Sequence, residues 1–176
     1  MAKGWALLAA VVVFVLFLVL KSRWPVRRFG EDGERYGRLA EAKKRARAAT
    51  DPAARAEALR EAAHVALEDL GRPNLAAGLA RRAERSDPRS AESVGLLAIA
   101  LRRATRYRAL ERQLWRKLAE EAEDSPAYER AFDELIRLYE GPMRRPAQGA
   151  VLRRLRGKSG AQRTIGLEKS TGSVKA

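Results

Sequence analysis

An Asp-Pro mark recurs along the middle of this chain and constrains its fold more than any other feature. It appears as Asp51-Pro52, as Asp87-Pro88 and, with one inserted residue, as Asp124-Ser125-Pro126, at intervals of 36 and 37 residues between the aspartates. Asp before Pro is the signature of a helix start, because the carboxylate caps free backbone N–H groups and proline has none to lose. Inner breaks at Gly71-Arg72-Pro73 and around Thr105-Arg106 divide the intervals again. Each interval then holds two helices of about 14–18 residues, a helix-turn-helix repeat of solenoid period. The residues between are rich in Ala, Leu, Arg and Glu, which favour helix, with no β-branched or aromatic run long enough for a strand.

Side-chain size follows the same period. Small residues stand at Ala76, Ala80 and Ala83, with Pro88 five further on. Val94, Leu97, Ala98 and Leu101 repeat as Phe132, Leu135, Ile136 and Tyr139. Small positions let helices approach closely, and large ones fill the gaps between pairs. In these residues the chain resembles the tetratricopeptide repeat family over residues 53–140, about half its length. The resemblance implies an α-α superhelix whose first helices line a concave groove, with Arg102, Arg103, Arg130 and Arg137 facing it. There are departures. Leu59, Ala62, Ala63 and Ala66 fit only with a shifted register, and Leu110, Leu114 and Leu118 stand where smaller residues are usual. Gly141-Pro142 and Pro146 interrupt the third unit. The lysine and asparagine of the family's carboxylate clamp are not carried over, since Asn74, the one Asn, opens a second helix. An unrelated Ala-rich helical bundle satisfies the same periodicity.

The N-terminal segment has a different character. Gly4 to Leu20 are 17 residues without a charge, or about 25 Å of helix, the short end of what spans a bilayer core. Lys3 and Lys21 can snorkel, and Trp5 and Trp24 stand where interfacial aromatics belong. No A-x-A-like site follows the segment, which argues against a cleaved signal peptide. A transmembrane helix over 4–21 is expected. The cations Arg23, Arg27 and Arg28 join Lys21 on its C-terminal side and set a cytoplasmic C-terminal domain at the plasma membrane.

The expected fold class is all-α, a single transmembrane helix followed by a short tetratricopeptide-like repeat domain. Its parts are the span at 4–21, a basic juxtamembrane linker at 22–33 broken by Pro25, Gly30 and Gly33, and a capping helix at 34–50. The repeats follow at 51–140, then a basic amphipathic or capping helix at 141–157 and a disordered tail at 158–176. In the penultimate part, Ala147, Val151 and Leu155 share one helical face.

Charge refines the choice of partner. The net charge is +14, but it is not spread evenly. Residues 1–29 carry +5, 30–50 carry +2, 51–140 carry −1 and 141–176 carry +8. A nucleic-acid-binding domain usually wears its basic patch on the fold itself. Here the repeats are near neutral and no aromatic interleaves the tail arginines to stack on bases, so nucleic acid is disfavoured. Within the repeats, residues 102–117 form a basic band and 118–140 an acidic one. The two readings of that band are complementarity between adjacent helices and a recognition surface for a protein.

Catalytic chemistry finds little to stand on. There is no Cys, and His64 is the one imidazole, expected to be a partly buried structural residue. The acids Glu120, Glu121, Glu123 and Asp124 lack the loop pattern and turn glycine of a calcium site. Gly157-Lys158-Ser159 has Leu152 where a phosphate loop needs Gly. No cofactor, metal or small-molecule substrate is expected. The expected function is a non-catalytic, membrane-anchored adaptor of bacterial type that holds an unidentified protein partner. The alternatives are a basic-tail tether for anionic lipid or nucleic acid, and an envelope-assembly accessory outside the cytoplasm.

Overall fold

The computed structural model describes residues 29–156, with side chains from Gly33 onward. The chain divides into two compact units at Gly37 and Arg38. Of the first, the described part is the opening stretch of helix α1, Phe29–Ala48. The second holds the rest of α1, α2 (Pro52–His64), α3 (Pro73–Ser86), α4 (Ala91–Arg103), α5 (Tyr107–Glu120), α6 (Pro126–Glu140) and a last helix, α7, over 146–156. Every described element is helical.

One expectation about fold class needs correcting. Among the described residues, no helix is long and apolar enough to cross a membrane. The longest, α1, has 20 residues, and half of them are charged. The expected span over 4–21 and its flanking Lys3, Trp5, Lys21, Arg23, Trp24, Arg27 and Arg28 lie outside the described residues. What stands is an all-helical domain of packed neighbours, compatible with a helical repeat. The linker and capping-helix boundary also moves. The backbone is already helical at Phe29 and runs through Gly30 and Gly33 without a break.

Capping explains most helix starts. Asp51 accepts from the Ala54 N–H at 3.0 Å, with Pro52 in the first turn, as expected from the motif. At the third mark the cap is Ser125, one residue after Asp124, accepting from Tyr128 N–H at 3.1 Å. At the second mark the roles reverse. Asp87 closes α3, and Ser90 caps α4 by accepting from Ser93 N–H at 3.2 Å. Asp87 lies 3.9 Å from Arg60 instead, and the Pro88 carbonyl accepts from Lys117.

Helix ends are equally specific. Helix α2 widens into a π-turn over Val65–Asp69, where Leu70 N–H bonds back five residues to the Val65 carbonyl. One residue is thereby inserted at the end of the helix. Gly71 then takes φ +58°, a left-handed position that glycine adopts without strain. Thr105 takes the same role after α4 at φ 55°, while Thr105 and Arg106 N–H bond back to Arg102 and Leu101. A β-branched residue is costly there. Thr105→Gly should raise stability by about 1 kcal/mol, the left-handed penalty less glycine's extra chain entropy. A higher thermal midpoint checks this; an unchanged or lower one refutes it.

Packing follows the size pattern. Helix α2 packs on α3, α4 on α5, and among the first helices α4 meets both α2 and α6. The second helices α3 and α5 pack against α4 and α6, the first helices of the next pairs. Ala62, Ala63, Ala66, Ala76, Ala80 and Ala83 are fully buried in the core. Leu101, Leu110, Leu135 and Leu138 are the large residues sealed between the pairs. Leu110 and Leu114, which depart from the family's small positions, are buried all the same.

Helix α7 packs back on α6. Leu152 is buried, Arg153 pairs with Glu140 at 2.5 Å, and Arg156 pairs with Asp133. Its docking face is set by Gly149 and Leu152. A Cβ on Gly149 would come within 2.7 Å of Glu140 Cγ. Ala147, Val151 and Leu155, expected to share one helical face, are exposed.

Candidate functional site

The first helices α2, α4 and α6 carry a cleft of about 370 Å³ lined by His64, Ala91, Glu92, Gly95, Leu96, Ile99 and Arg130. It combines an apolar strip on α4 with charged groups at its edges. Gly95 has a local reason to be glycine inside a helix. A Cβ there would stand 3.0 Å from both Nε and Nη2 of Arg130, so the guanidinium lies against bare α4 backbone.

The four arginines expected on this face do not present four free charges. Arg102, Arg130 and Arg137 converge on Glu134, which is fully buried. Arg130 Nη2 is 3.0 Å and Arg137 Nη1 3.2 Å from Glu134 Oε1, and Arg102 donates to Oε2. Arg103 pairs separately with Glu68 at 2.9 Å. Three cations on one carboxylate leave a local excess of positive charge, and Arg130 Nε is buried without a hydrogen-bond partner. Side-chain exposure rises from 27% at Arg102 to 36% at Arg130 and 58% at Arg137, so Arg137 reaches farthest toward solvent.

A second hub sits at the start of α4. Arg60 on α2 pairs with Glu92 at 3.0 Å and reaches the hydroxyls of Ser90 and Ser93 at 3.4 and 3.5 Å. It ties the first pair of helices to the cap of the second. His64, expected to be partly buried, is exposed at the end of α2 and lines the cleft.

Sequence reading overlooked Glu134 and Gly95. The signal for the first was present: Arg130 and Arg137 flank Glu134 at i−4 and i+3, one face of a helix. The third arginine comes from 32 residues away and needed the fold.

Behind the cleft, α5 and α6 are clasped by polar side chains. Tyr139 donates to Glu111 at 2.8 Å and accepts from Trp115 Nε1 at 3.0 Å. Burial, and then the nearby Glu111 carboxylate, push the Tyr139 hydroxyl above its ordinary 10.0, with Trp115 opposing. Among the described residues, no group of three or more His, Cys, Asp or Glu could hold a metal ion. No family model, curated protein or solved structure matches this chain.

Proposed function

We propose that this domain is a tetratricopeptide-like repeat acting as a non-catalytic adaptor, which holds a polypeptide segment against the face built by α2, α4 and α6. The observation that carries the reading is the packing order. First helices touch first helices, and second helices touch the next first helix, so one face is made of first helices alone. On it, the apolar strip of Leu96 and Ile99 lies between Glu92 and the Arg130 guanidinium. An extended segment can lay side chains on that strip while its backbone carbonyls or carboxylates meet the guanidinium. The reading needs no membrane span.

Helix α7, docked through Leu152 and two ion pairs, favours a cap over a free basic tether. The test is photo-crosslinking in cells from a probe at Ile99 and, as comparison, from one at Arg112 on α5. A discrete polypeptide adduct from Ile99, lost when Arg130→Glu is added and missing from the Arg112 probe, is the expected result. Equal labelling at both positions, or none at Ile99, defeats the adaptor.

A further inference from the structure

The fold gathers positive charge at a place the linear sequence does not reveal. Between α1, α2 and α3 lies a cleft of about 480 Å³. Lys43 and Arg47 reach it from α1, Arg55 from the first turn of α2, and Arg82 and Arg85 from the last turns of α3. No carboxylate lines it. Ala46, Leu59 and Leu79 form its apolar floor.

These cations differ from those on the other face. Arg102, Arg103, Arg130 and Arg137 are all held by acids of this chain. The side chains of Lys43, Arg47, Arg82 and Arg85 make no hydrogen bond or ion pair among the described residues, and Arg55 donates to a backbone carbonyl, that of Ala49, at 2.9 Å. Glu41 and Glu57, two residues from Lys43 and Arg55, do not line the cleft, and other acids close in sequence are engaged. Asp51 caps α2, Glu61 holds Arg45 at 2.6 Å, and Glu84 pairs with Lys117. Five like charges around one depression repel each other, and a multivalent anion relieves that repulsion.

We infer that this cleft is a second docking site, which takes an acidic polypeptide segment bearing several carboxylates and a few aliphatic side chains. The cations come from three helices around a wide depression, which suits carboxylates spaced along a chain better than one phosphate. The aliphatic floor suits a peptide. No aromatic side chain lines the cleft, so nothing is provided for stacking a nucleic-acid base. The site shares no lining residue with the cleft on α2, α4 and α6, and it does not rest on the adaptor reading.

The test uses the full chain and fluorescence anisotropy of a short labelled peptide of mixed Glu and Leu, with its Gln counterpart as control. The variants are Arg82→Gln with Arg85→Gln, Lys43→Gln with Arg47→Gln, and the comparison pair Arg108→Gln with Arg112→Gln, exposed on α5. The acidic peptide should bind and weaken with added salt. Each cleft pair should lose about tenfold in affinity, equivalent to about 1.4 kcal/mol, and the α5 pair should change little. Three results overturn the proposal: no binding of the acidic peptide, equal loss in all three pairs, or cleft-dependent binding of anionic vesicles or an oligonucleotide with none of the peptide. The cleft variants should leave the Ile99 crosslink intact, so the two sites fail or succeed separately.

Discussion

Glu134→Ala should lower the unfolding free energy by about 3 kcal/mol, read as a shift of the urea midpoint followed by helical circular dichroism. Removing one member of a buried ion cluster costs roughly 3–5 kcal/mol, because the partners are left charged and uncompensated. The lower end applies because the three arginines are 27–58% exposed and can turn part of their charge back to water. A loss of that size is a large share of the roughly 5–15 kcal/mol that holds a domain of this size. The arginines should rank by burial, with Arg102→Ala worse than Arg130→Ala and Arg137→Ala nearly silent. Arg102 is the member that joins α4 to α6. A Glu134→Ala variant within about 1 kcal/mol of the parent, the scale of an exposed pair, would show that the cluster is solvated and does not hold the groove.

The same cluster shows what the sequence could and could not disclose. Features set by neighbours along the chain were legible. Asp51 caps as its motif says, Gly71 and Thr105 mark inner breaks, and the small-large alternation from Ala76 to Tyr139 is buried as written. Features set by competition between local signals were not. Asp87-Pro88 looks like Asp51-Pro52, yet Ser90 three residues on supplies the cap of α4, while Asp87 turns toward Arg60 on α2. No residue pattern marks the π-turn at Val65–Asp69. Charge was the least legible. Residues 51–140 sum to −1, and from that sum the repeats looked like a neutral surface. Folding sorts those charges, burying acids such as Glu134 and Glu84 among cations and setting Arg55, Arg82 and Arg85 beside Lys43 and Arg47 of the preceding helix in a cleft that no acid lines. A sum along the chain carries no information about that sorting.

Lys117 offers the second large effect, and one whose cause can be separated from simple loss of a side chain. Its ammonium is almost fully buried between α3 and α5, 3.1 Å from Glu84, 3.3 Å from Glu121 and 3.1 Å from the Pro88 carbonyl. It therefore holds successive second helices and the turn between pairs at a single point. Lys117→Met keeps most of the volume and removes the charge. Glu84 is then a buried carboxylate with no cation, and its Oε2 already lacks a hydrogen-bond partner. The expected cost is about 3 kcal/mol or more. Glu84→Leu alone should cost less, because Lys117 keeps Glu121 and the Pro88 carbonyl. The informative variant is the double one. With Lys117→Met and Glu84→Leu together no charge is left stranded on α3, and a buried pair replaced by apolar groups of similar size is close to neutral or stabilising. The coupling in this double-mutant cycle should then be at least about 1 kcal/mol, well inside the range for contacting residues. Additive single effects would mean that Lys117 acts through Glu121 or the Pro88 carbonyl. The joint between the pairs would then be held by α5 and the turn, with α3 contributing only packing.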